Sequence, residues 1–138
     1  MKKGAGAKKV REETWLAALV EKDGRFLVHR NERKGLLRGL WQFPVLVSTP
    51  GAATGTKALG KFLLEEFGIR VKTKASLPGI SYGFTHIQAR IEPHLCSFVR
   101  AAPSRRSPEP LRWVSLRAFA RYPVSTLMRK VAALLPRS

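Results

Sequence analysis

The residues best suited to metal-assisted chemistry are Glu65 and Glu66, adjacent carboxylates in the run KFLLEEFGI at positions 61–69. Carboxylate oxygens are the hard ligands that Mg²⁺ takes in near-octahedral geometry, and phosphoryl chemistry uses that ion to absorb developing charge. Donors are scarce elsewhere. Of nine acidic residues, five (Glu12, Glu13, Glu21, Asp23, Glu32) precede the run, which leaves Glu92 or Glu109 as a third ligand. Other constellations are weaker. His86, His94 and Cys96 include metal-ligand types, and His94 and Cys96 share a face if their strand is regular, but no fourth ligand is evident. A Ser-His-Asp arrangement has one aspartate to draw on, Asp23, in a turn, so nucleophilic hydrolysis gets no support. Leu77-Pro78-Gly79-Ile80 resembles the hairpin of helix-hairpin-helix DNA binders, yet Ser81 stands where the second glycine belongs.

The elements that hold these residues follow from periodicity. Thr14 to Glu21 and Arg25 to Arg30 are apolar-rich runs around Lys22-Asp23-Gly24, and Asp-Gly predicts a hairpin. Residues 31–39 read as a basic loop, with a strand from about Leu40 to Ser48. A helix is predicted over Thr56 to Phe67, with Leu59, Phe62, Leu63 and Phe67 on one face and Gly68 as its stop. Ile69 to Ala75 reads as a strand, and Ile80 to His86 with Ala89 to Val99 as a second hairpin in which Pro93 implies a bulge or an edge. Leu111 to Val114 is a short strand before a turn capped by Ser115, and Ser125 or Thr126 caps a last helix that turns Leu127, Val131, Leu134 and Leu135 inward. The fold class is α+β: a mixed β-sheet sandwich with one central helix and a C-terminal helix. Residues 1–13 are expected to be a flexible basic tail or linker, and 14–138 one domain with a basic loop at 100–110.

Charge narrows the function. Twenty-six Lys and Arg against nine Asp and Glu give +17 over 138 residues, which favours a polyanion, nucleic acid above all, as partner. A single cysteine, Cys96, allows no internal disulfide and holds no iron–sulfur cluster alone, as suits a reducing cytosol. No apolar run approaches a membrane span and no signal peptide opens the chain, so a cytoplasmic, nucleoid-associated protein without a membrane partner is expected.

Two stretches resemble known proteins. Residues 47–69 lie on the Nudix hydrolase pattern G-x5-E-x7-R-E-U-x-E-E-x-G-U, where Glu65, Glu66, Gly68 and Ile69 match. Phe62 replaces the first ligand, Lys61 the arginine, Ala53 the upstream glutamate and Val47 the leading glycine. A phenylalanine supplies no oxygen, so the scaffold is kept and the metal chemistry is not. Gly35 to Pro44 (GLLRGLWQFP), then Gly83-Phe84-Thr85-His86, then Tyr122-Pro123 with Ser125 to Lys130, resemble the C-terminal domain of MutY-type adenine DNA glycosylases. The likeness runs from about Glu13 to Leu135.

In that family the domain is Nudix-like and inspects 8-oxoguanine opposite the adenine that a separate catalytic domain removes. The resemblance implies that Phe84, Thr85 and His86 lie on the loop reaching the lesion. Phe84 would stack or wedge against a base, the Thr85 hydroxyl would adapt to the altered N7, and His86 would orient the loop or contact phosphate. Core packing is the alternative for Phe84. Arg33, Lys34 and Arg38 flank the first motif and would contact phosphates, or form a solvated basic loop. Leu36, Leu37, Leu40, Trp41 and Phe43 are expected mostly to close the core. In nucleotide-hydrolysing relatives an aromatic before proline lines the base pocket, which maps onto Phe43, but FPVLV stands here where those enzymes place a pair of glycines. The expected function is noncatalytic recognition of 8-oxoguanine-containing double-stranded DNA in base-excision repair, without resident metal, beside a separate glycosylase catalytic domain. The family's helical catalytic domain and cluster cysteines do not occur in this sequence, so the chain is not expected to excise adenine alone. The alternative is a Mg²⁺-dependent Nudix pyrophosphatase acting on ordinary or oxidised nucleoside triphosphates.

Overall fold

The computed structural model describes residues 10–32, 37–48, 55–102 and 111–135. Strand β1 (Arg11–Lys22) turns at Asp23 and Gly24 into β2 (Arg25–Arg30). Both turn residues have left-handed backbones, φ 52° and 78°, as the twist of a two-residue hairpin demands. The Lys22↔Arg25 pairing closes the hairpin, as the Asp-Gly dipeptide predicts.

The strand expected over 40–48 is two strands, β3 (Trp41–Gln42) and β4 (Val45–Ser48), with Phe43-Pro44 between them. The break has a cause. β3 pairs with β2, and β4 pairs with β1, so the chain changes partner at a proline that has no N–H for a ladder. The Pro44 carbonyl still accepts from the Ala18 amide at 2.8 Å.

Helix α1 (Thr56–Phe67) occupies the predicted range and stops at Gly68, whose φ of 66° is the left-handed cap that glycine takes without a Cβ clash. Strands β5 (Ile69–Ser76), β6 (Ile80–Gly83), β7 (Ile87–Ala101) and β8 (Leu111–Val114) follow. Two short helices finish the described chain. α2 (Leu116–Phe119) is capped by Ser115, whose hydroxyl accepts from the Ala118 amide at 3.1 Å. α3 (Thr126–Ala132) is capped by Ser125 in the same way, from Met128 at 3.1 Å.

The eight strands form one mixed sheet, with the path β3-β2-β1-β7-β5 and with β4, β6 and β8 pairing beside it. β1 runs parallel to β7 from Arg11↔Ile87 to Glu21↔Ser97 and is buried on both faces over residues 15–20. Alternation divides those residues. Leu16, Ala18 and Val20 pack with Leu59 and Leu63 of α1, while Trp15, Ala17 and Leu19 pack with Phe43, Phe119, Leu127, Met128 and Val131. The α+β expectation holds, with the layering helix–sheet–helix: α1 covers one face, and α2 and α3 the other. Leu127 and Val131 point inward as predicted, with Met128 beside them.

Residues 11–13, expected in a flexible tail, begin β1 instead. Their ladder to residues 87–89 explains it, because that partner is more than seventy residues away and invisible to local pattern. Residues 1–9, and 103–110 of the expected basic loop, lie outside the described residues. Pro93 sits in β7, an interior strand, yet at the gap where β5 ends (Ser76↔His94) and β6 has not begun (Ile80↔Ile91). Its carbonyl accepts from Leu77 in that gap at 2.9 Å, so the missing N–H faces a connector and not a ladder. No helix among the described residues is long and apolar enough to cross a membrane.

Candidate nucleic-acid interface

Phe84, Thr85 and His86 form the tight turn between β6 and β7. The Phe84 amide donates to the Ile87 carbonyl at 2.7 Å, which pins the turn at its base. Thr85 and His86 are exposed at the tip, and Phe84 is half-buried beneath them. The three residues therefore share one turn, with Phe84 packed partly against the core cluster, the alternative weighed for it.

That loop stands on an aromatic and ionic support that the sequence reading missed. Phe84 stacks on Trp15 with centroids 5.4 Å apart and planes inclined by 24°, and Tyr82 tilts against it at 5.1 Å. The Trp15 indole Nε1 donates to Glu13 Oε1 at 2.8 Å, and Arg11 Nε donates to Glu13 Oε2 at 2.9 Å. The Arg11 amide donates to the His86 carbonyl at 2.9 Å. Arg11, Glu13 and Trp15 are two residues apart and so share a strand face, a signal available once β1 is known to start at Arg11. Glu13→Ala is expected to leave the indole N–H without its acceptor, at a cost of about 1–3 kcal/mol. A lower urea midpoint with unchanged slope would check it.

The other expected contacts lie apart. Arg38 is exposed in the 37–39 turn that follows β2. Its neighbour Leu37 packs against the same core cluster as Phe84, which puts both connections on the α3 face of the sheet. Arg33 and Lys34 lie outside the described residues. Phe43 is fully buried, edge-on to Phe26 at 6.5 Å and 4.9 Å from Phe119, so the base-pocket role that the hydrolase resemblance maps onto it does not hold; its ring is core. Trp41 meets the other motif: its amide donates to the Pro123 carbonyl at 2.9 Å and its ring abuts Tyr122 at 5.1 Å.

Glu65 and Glu66 lie on α1, across the sheet from Phe84. Phe62, one turn back, packs its ring edge-on to Phe67 at 5.6 Å. Among the described residues no three His, Cys, Asp or Glu side chains come together as a metal cage. His94 is buried with Nδ1 3.3 Å from the Ser76 hydroxyl, and the Cys96 thiol reaches the His94 carbonyl at 3.6 Å. Burial pushes the Cys96 thiol above its usual pKa, with a hydrogen bond to the Thr73 side chain pulling the other way.

A NUDIX domain model matches residues 15–134. The chain belongs to the NUDIX domain family. Within that family it is similar to the adenine DNA glycosylase of Homo sapiens, 29% identical over 132 residues, which cover 92% of this chain and 24% of the human protein. This NUDIX chain thus spans about a quarter of the length of the curated relatives it matches. Among solved structures, its fold matches the C-terminal domain of mouse MUTYH, solved in complex with human PCNA, at TM-score 0.62 and 24% identity over 90% of this chain and 87% of that one. It matches the MutT NUDIX hydrolase of Burkholderia pseudomallei at TM-score 0.74 and 17% identity, over 91% of this chain and 99% of that one. The NUDIX fold and the kinship with adenine DNA glycosylases both follow.

Proposed function

We propose that this NUDIX domain is a noncatalytic reader of damaged DNA, binding duplex that carries 8-oxoguanine opposite adenine and working with a glycosylase catalytic domain. One observation carries the reading: an exposed Thr85-His86 tip over a half-buried Phe84, held by Trp15 on one side and tied through Arg11 on the other. A base arriving at the tip meets a ring already positioned and a hydroxyl free to donate or accept. Likeness to adenine DNA glycosylases over most of the chain supports the partner, and the +17 charge supports the polyanion.

The donor set on α1 does not fit a resident Mg²⁺. Two carboxylates stand on one helix, and the position that would complete them carries the packed ring of Phe62. The hydrolase reading keeps one observation in its favour, the retention of Glu65 and Glu66 on a MutT-like scaffold.

The two readings separate in solution. Thr85→Ala is expected to weaken binding to an 8-oxoguanine·adenine duplex by about five-fold, the worth of one hydrogen bond near 1 kcal/mol, and to leave undamaged duplex unaffected. Thr85→Ser keeps the hydroxyl and is expected to keep the preference. Fluorescence anisotropy on both duplexes reads the ratio; an unaltered ratio in the alanine variant defeats the proposal. Mg²⁺-dependent pyrophosphate release from nucleoside triphosphates, abolished by Glu65→Gln, would establish the hydrolase instead.

A further inference from the structure

We propose that Arg70, Lys72 and Arg100 form a second, lesion-independent contact surface for the phosphate backbone of duplex DNA, on the outer edge of the sheet. The inference rests on the DNA-binding reading above and adds a site remote from the Phe84 turn. β5 ends the sheet path. Ile69 is buried and Val71 packs on the α1 side, so alternation sends Arg70 and Lys72 to the opposite face, where both are exposed.

Across the antiparallel ladder Arg70 lies directly opposite Arg100, which is also exposed. Residues so paired bring their Cβ atoms to about 5 Å, and like charges there repel. The ladder slips next to this pair: Arg70↔Arg100 is followed by Val71↔Phe98, which leaves Val99 as the extra residue, 56% exposed. Such a bulge sharpens the local twist and turns the edge outward.

Among the described residues, no ion pair reaches this charge. The described ion pairs, Arg11–Glu13, Arg30–Glu32 and Arg90–Glu92, all lie elsewhere. Lys72 is opposite Ser97, and the acid in that row, Glu21, is one strand further on, about 10 Å from Lys72 at normal strand spacing. At ordinary ionic strength that is a full screening length.

Edge strands often carry lysine to discourage sheet-to-sheet pairing, which accounts for Lys72. It does not account for two arginines set face to face, the second of them, Arg100, lying past the end of the β1 ladder at Ser97. A row of phosphates relieves that repulsion and matches the guanidinium fork. The surface lies thirteen residues along β7 from the Phe84 turn, about 40 Å at the rise of a strand, so the two sites can be altered independently.

The test uses the full chain carrying Arg70→Gln, Lys72→Gln and Arg100→Gln together, with Arg70→Lys/Arg100→Lys as the charge-retaining control. Anisotropy titrations on undamaged and 8-oxoguanine duplexes across a salt series give the slope of log K against log salt. Each phosphate neutralised contributes about 0.9 to that slope. The glutamine variant is expected to lose about 2 to 3 from it, with equal fold losses on both duplexes and an unchanged lesion ratio, while the lysine control keeps the slope. A glutamine variant with the wild-type slope overturns the proposal. A wild type without lesion preference whose slope still falls in the glutamine variant removes the lesion reading and leaves this surface standing.

Discussion

Phe84→Ala is expected to weaken binding to duplex containing 8-oxoguanine opposite adenine by about five- to 150-fold, and to weaken undamaged duplex much less. The magnitude is that of base–aromatic stacking, about 1–3 kcal/mol, at 1.4 kcal/mol per tenfold. The asymmetry follows from where the ring sits. Trp15 covers one side of Phe84 and Tyr82 leans on it, so the ring arrives in place and loses little freedom when a base meets it. Backbone contacts, by contrast, reside in cations that the substitution leaves alone. Removing the ring also uncovers part of Trp15, so titrations belong well below the melting transition of the variant. Phe84→Leu separates the effects, because it restores apolar bulk over the indole without a flat surface for stacking. Equal losses on the two duplexes would mean that the ring is only a strut.

How the Phe84 turn is built explains why it was half legible. The triplet Phe84-Thr85-His86 could be singled out from its order after GLLRGLWQFP. Its support could not, since Arg11, Glu13 and Trp15 reach it only through the parallel register of β1 on β7. Parallel pairing leaves no trace in a turn, whereas the antiparallel β1–β2 hairpin announces itself through Asp23-Gly24. Helix α1 was readable for the same local reason: its apolar face and the stop at Gly68 lie within one stretch of chain.

Prolines misled where their setting is tertiary. A proline in a strand points to an edge or a bulge, yet Pro93 is tolerated inside the sheet because β5 and β6 leave a gap opposite it. Pro44 marks a change of partner strand that only the assembled sheet defines. The like-charged Arg70↔Arg100 pair is likewise a product of register: thirty residues separate the two in sequence.

Phe43→Ala is expected to destabilise the fold by about 3–5 kcal/mol, as large-to-small changes at buried aromatics do, without changing the lesion ratio of the molecules that remain folded. The ring is 0% exposed and lies between Phe26 and Phe119, with Leu127 and Met128 in the same cluster, so alanine would leave a cavity that several elements line. That loss is a large share of a typical stability of 5–15 kcal/mol, and it should appear as a lower urea midpoint at constant slope. Phe43→Leu keeps most of the volume and is expected to recover much of the difference. The contrast with Phe84 is the point of the experiment: Phe43 is expected to act through the core, and Phe84, on the proposed reading, through the ligand. A Phe43→Ala protein of near wild-type stability that had lost its lesion preference would return Phe43 to the base-contacting role that the hydrolase resemblance maps onto it, and would require the α3 side of the sheet to open.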